Sequence, residues 1–252
     1  SRRYSHHSNT QGWLSMSIPL ARSRYNGRFV VSDIQNNKKY LASLDWSWSK
    51  GLDLTGWTLT GITVPTIAAD GQIDLFVNNV IPNSSSQAKI SIPNTLGQLY
   101  CIFSCKFTRQ NDDNSTDDRS PVIQIGATTV NEQGIQLKGR PVAADIREVW
   151  NNNAYLGNEI ATSFVGYPVK GREYDLAIIL TPQDAKLIID GVQISRILNS
   201  NNGAAPLSAT PFTDYLRANK TISFFVRQNF ANEIAHYRIH DIKVGRLVGV
   251  SP

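Results

Sequence analysis

The segment REVWNNNAYLGN, residues 147–158, gathers in one short stretch the kinds of group that hold sugars. Sugar rings lay their C–H faces on flat aromatic side chains, and their hydroxyls need planar polar partners that donate and accept together. Trp150 and Tyr155 supply the faces, Arg147 a guanidinium fork, and Asn152 and Asn153 the amides. Arg227 and Asn229, in FFVRQN, belong to a strand expected to border the same concave surface. The candidate ligand-binding set is therefore Arg147, Trp150, Asn152, Tyr155, Arg227 and Asn229. A second platform is offered by DWSWSK, where Trp46 and Trp48 fall on one side of a strand; the alternative for that pair is burial under the N-terminal segment.

Other chemistries lack their residues. The histidines are His6, His7, His236 and His240, with no Cys or carboxylate set spaced to close a metal site around them. No phosphate-cradling glycine loop of the G-x-x-x-x-G-K-[ST] or G-x-G-x-x-G kind occurs. The loop RQNDDNSTDDRSP, 109–121, carries hard-oxygen groups that suit Ca²⁺, but it has neither the glycine nor the terminal glutamate of an EF-hand. A solvated acidic loop is the expectation, and with it no cofactor. Cys101 and Cys105 stand four residues apart in LYCIFSCKF, about 13 Å along a strand. A disulfide needs Cα atoms within about 7 Å, so buried free thiols are expected.

The 252 residues, 41% hydrophobic and 18% charged, describe an ordinary globular chain rather than a disordered one. No apolar run approaches the roughly 18 residues of a membrane span. The opening SRRYSHHSNTQ lacks a signal's apolar core, and the only methionine is Met16, so a fragment or processed product is expected. A net charge of +5 is spread along the chain rather than set in one stripe, which argues against a nucleic-acid partner.

Strands must position these groups. Leu99, Cys101, Phe103, Cys105 and Phe107 alternate with polar neighbours, and so do Tyr174 to Leu180, Ala185 to Ile189, and Ile222 to Val226. A period of two marks half-buried antiparallel strands. Shorter candidates are Ile62–Thr66, Ile73–Asn78, Ala88–Ile92, Val122–Ile125 and Ile135–Lys138. Helical signals are thin: residues 211–219 suggest a turn or two, and 142–157 either a short helix or a strand with its loop. Residues 1–45 read as an N-terminal arm or linker, or as a first strand with a frayed tail, and 46–252 as one β-sandwich domain. In GREYDLAIILTPQDAKLIIDGVQISRI, Thr181 to Asp184 turn a hairpin, and Asp190-Gly191 supply the positive φ of a tight turn into Val192–Ile194.

That order, EYDLAIIL, AKLIIDGVQI, ISFFVRQN, then YRIHDIKVG, resembles the concanavalin A-like lectin/glucanase superfamily, with its laminin-G-like members, over residues 96–247 or 55–247. The resemblance implies an all-β antiparallel jelly-roll sandwich. It implies a closing strand at Ile239–Val244, whose apolar phase slips between Ile239 and Ile242 and so predicts a bulge. The paired carboxylates of the glucanase branch, E-x-D-x-E, do not occur. The alginate-lyase-like branch is similar at Gln124-Ile125-Gly126 and at Arg227-Gln228. There Arg227 or Gln124 would neutralise a uronate, and Tyr237 or His236 would act as base. Gly126 stands where that branch has histidine, and Asn229-Phe230 where it has Tyr-x-Gln.

The expectation is a non-enzymatic module that recognises a glycan or other cell-surface ligand, in the manner of a viral or phage receptor-binding protein. It would act outside the cell or on a virion surface, as a homo-oligomer such as a trimer, without membrane insertion. The alternatives are a jelly-roll polysaccharide lyase, in which Gln124, Arg227 and Tyr237 converge, and a structural oligomerising virion domain with Trp46 and Trp48 buried between subunits.

Overall fold

A computed structural model describes residues 27–78, 81, 84–91, 101–111, 122–125, 134–140, 143–150, 153–156, 159–160, 169–181, 184–198, 221–227 and 234–252. Among these residues there is no helix; they form two antiparallel sheets. Numbered along the chain, the larger sheet runs in spatial order β1 (Arg28–Asp33), β2 (Lys38–Trp48), β17 (Ile234–Ser251), β7 (Cys101–Arg109), β13 (Glu173–Leu180), β14 (Asp184–Ile189), β15 (Val192–Leu198), β12 (Glu159–Ile160). β5 (Ile73–Asn78) also pairs with β17, and β4 (Thr66–Ile67) with β5. The smaller sheet runs β11 (Asn153–Leu156), β10 (Ala143–Trp150), β9 (Gly134–Arg140), β8 (Val122–Ile125), β16 (Thr221–Arg227), β6 (Ser85–Ser91), β3 (Thr58–Gly61).

The alternation in the sequence becomes the core. Cys101, Phe103, Cys105 and Phe107 of β7 and Tyr174, Leu176, Ile178 and Leu180 of β13 face Ile222, Phe224 and Val226 of β16 and Ala88 of β6. Phe103 and Phe224 meet across the sheets with ring centroids 5.8 Å apart. The phase slip near the end of the chain is a bulge: His240 pairs with Lys106 and Lys243 with Ser104, so β17 carries one extra residue there. Asp241 takes φ +49° at that point, and Ile239, Ile242 and Val244 all reach the core.

Two expectations are revised and one pair of alternatives is decided. Residues 62–65 form no strand: Gly61 turns the chain at φ +122°, Ile62 N–H bonds Ser85 O, and Ile62 and Val64 are exposed. Of the two readings of 142–157, the strand holds: its described residues form two strands, β10 and β11, rather than a helix. β2 pairs along its length with β1 and β17, so a division at 45/46 falls inside a paired strand. Residues 1–26, the stretch 211–219 and the acidic stretch 112–118 lie outside the described residues.

A second apolar layer lies on the back of the larger sheet. The β1–β2 hairpin sets Val31, Tyr40 and Ala42 against Ile102, Ala177, Ile179 and Ile188, with Phe29 and Leu247 alongside. Ile34, at the hairpin tip, donates its N–H to Gly191 O. Asp190 (φ +49°) and Gly191 (φ +77°) form the two-residue turn between β14 and β15, where both central residues need positive φ. Asp190 also accepts from Asp175 N–H at 2.9 Å and from Arg172 Nη2 at 2.8 Å. At Gly191 an added Cβ would stand 2.6 Å from Ile34 Cδ1. Gly191→Ala is therefore expected to lose about 1–2 kcal/mol from the left-handed backbone alone. A urea midpoint unchanged from wild type would show that the turn rearranges freely.

Candidate functional site

The register of the smaller sheet assembles what the sequence left apart. Ser223 on β16 stands opposite Lys89 on β6 and Gln124 on β8. Gln124 faces Gln136 on β9, and Gln136 faces Arg147 on β10. On the other side Lys89 pairs with Thr58 on β3. One row, Thr58, Lys89, Ser223, Gln124, Gln136 and Arg147, thus crosses six strands, about 24 Å at the usual strand spacing. Ile222 and Phe224 are buried between the sheets, and the row has the opposite parity; Thr58 is exposed and Lys89 half-buried, whereas Ser223 is itself buried, at 1% exposed. Two residues along, Thr60 Oγ1 donates to Gln87 Oε1 at 3.3 Å, and the buried Nε2 of Gln87 has no hydrogen-bond partner.

The candidate set divides. Arg147 lies in this row. Arg227, opposite Ser85, lies on the same face by alternation, four residues beyond Ser223 and three strands from β10. Trp150, opposite Asn153, and Tyr155, opposite Glu148, have the other parity, that of Ile146, Leu137 and Ile123, which align with buried Phe224. Asn152 and Asn229 lie outside the described residues. Gln136, Lys89 and Thr58 were not singled out in the sequence. Their signal was the polar phase of SSQAKIS and GIQLKGR, which becomes a row only once the register is known.

Other expectations fail on burial. Tyr237 is 1% exposed and packs on Phe107 in the core, so it cannot converge with Gln124 and Arg227 on the outward face of the other sheet. His236 lies on the back of the larger sheet with Nε2 2.8 Å from Asp74 Oδ1. The lyase constellation is not formed. His240 is buried, with Nε2 2.8 Å from Glu173 Oε2. Trp46 and Trp48 make no platform. Trp48 is buried with Nε1–H donating to Asp53 O at 3.0 Å; against Trp57 the ring of Trp46 is tilted and that of Trp48 stands edge-on. Trp48 is buried within its own chain, and Trp46 is half-buried beside Trp57. Cys101 and Cys105 are buried free thiols; burial, helped by the charge of Asp45, pushes Cys101 up to about 12, and burial drives Cys105 higher still.

No protein-family model matches the chain, and no curated protein matches it. Solved structures do. The carbohydrate esterase of the Shiga toxin-encoding bacteriophage phi24B aligns with 82% of this chain and 99% of its own, at 12% identity and TM-score 0.53. Lectin UEA-II in complex with galactose aligns over 82% of this chain and 100% of its own, at 11% identity and TM-score 0.53. The lumenal domain of VIP36, bound to Ca²⁺ and Man3GlcNAc, aligns over 81% and 89%, at 12% identity and TM-score 0.52. The fold is the concanavalin A-like lectin jelly roll.

In this lectin fold the two sheets differ in electrostatics. The acids on the back of the larger sheet are paired. Arg238 bonds Asp74 Oδ1 and Asp70 Oδ2, each at 3.0 Å, and Lys106 bonds Glu173 Oε1 at 2.8 Å. Asp184, nearly buried, takes Arg196 Nε at 2.6 Å, Lys186 Nζ at 3.1 Å and the Thr181 hydroxyl at 2.8 Å. Burial would raise its carboxyl, but the Thr181 hydrogen bond and the charges of Lys186 and Arg196 outweigh it and hold it below the usual aspartate value. Asp74 and Asp70 are lowered likewise against their burial, and Glu173 chiefly by the Lys106 hydrogen bond. A carboxyl depressed in the folded state adds stability above its unfolded pKa, about 3.9 for aspartate, and loses it as pH falls through the folded value. The urea midpoint is therefore expected to fall below about pH 4, and to fall less steeply in Asp184→Asn. Parallel curves for the two proteins would remove Asp184 from the account.

Proposed function

We propose that this chain is a non-enzymatic glycan-recognition module whose site is the outward face of the smaller sheet. The observation that carries the reading is the register row that brings Thr58, Lys89, Gln124, Gln136 and Arg147 together across the strands that flank the buried Ser223. A primary amide donates and accepts in one plane, as adjacent sugar hydroxyls require, and a row at strand spacing repeats that offer across the sheet. The sugar ligands named for lectin UEA-II and VIP36 support the reading on a shared fold.

The finer proposal is that the module works outside the cell or on a virion or phage surface, binding a cell-surface glycan receptor as a homo-oligomer such as a trimer. The Asn- and Ser-rich loops and the basic N-terminal segment support it. The reading includes no cofactor.

The test is a glycan array on the intact chain, with uronate polysaccharides included and absorbance at 235 nm followed in parallel. The expected result is binding that survives EDTA, without an absorbance rise. A rise would report an unsaturated uronate and overturn the non-enzymatic reading; loss in EDTA would overturn the cofactor-free site. Light scattering on the same sample tests the oligomer, and a monomer at all concentrations would reject it.

A further inference from the structure

We draw no further inference here: the strongest candidate, the groove of about 560 Å³ between β1 and the back of the larger sheet, bordered by Val30, Ile34, Ala177, Ile188, Lys106 and Lys243, carries none because nothing in the structure shows what covers it.

Discussion

Replacing Phe224 by alanine is expected to lower the unfolding free energy by about 3–5 kcal/mol, the largest single effect foreseen here. Phe224 is fully buried and stands where the two sheets meet. Its ring lies 6.0 Å from that of Trp57 and 5.8 Å from that of Phe103, one from each side of its own surroundings. Truncation removes the apolar contact and leaves a hole lined by rigid rings on paired strands, which have little freedom to close it. Natural domains hold only about 5–15 kcal/mol in all, so this one substitution takes a large share. Urea denaturation is expected to show a lower midpoint with an unchanged slope, and Phe224→Leu, which keeps most of the volume, a smaller loss. A loss under about 1 kcal/mol for alanine would mean that the inter-sheet core is not packed as described.

The second large effect falls on binding. Gln124→Ala with Gln136→Ala should weaken the glycan ligand roughly 30- to 150-fold, since two hydrogen-bonding amides at ~1–1.5 kcal/mol each amount to about 2–3 kcal/mol. The two are adjacent in register on neighbouring strands, so one sugar ring can engage both. Outward-facing polar positions contribute little to folding, so the urea midpoint should move by less than about 0.5 kcal/mol equivalent. Arg172→Ala, on the back of the other sheet, is the control. Unchanged affinity in the double variant would move the site off this row altogether.

Much of the fold was legible because alternation is a local signal. The phases of 101–107, 174–180 and 222–226 each carried over directly into the core, and the phase slip at 239–242 foretold a bulge down to the residue. The Asp190-Gly191 corner was equally local, since only a few residue types accept positive φ. What could not be read was register. Arg147 and Gln136 lie 11 positions apart in sequence, and Ser223 and Lys89 far more, yet all four share one row. A window such as 147–158 gathers residues near in sequence, and β10 and β11 then distribute them to opposite faces, Arg147 to one and Trp150 to the other. Tyr237 was misjudged for a related reason: a polar atom on an aromatic suggests a site, although burial in a core is as common a use for it, as the alternative reading of Trp48 allowed.

The pairing of β2 with β17 bears on how the molecule is made. Lys39 takes its sheet partner from Ser251, and Trp48 from Ile242, so the middle of the larger sheet joins segments from near opposite ends of the described chain. Such non-local contacts place β-sandwiches among the slow-folding small domains, on millisecond to second timescales. A nascent chain emerging from the ribosome would carry β2 for most of its synthesis without the strand it must pair with. The β1–β2 hairpin would meanwhile expose Val31 and Tyr40 with no sheet back to cover, a natural substrate for a chaperone and a point at which one growing chain can capture another.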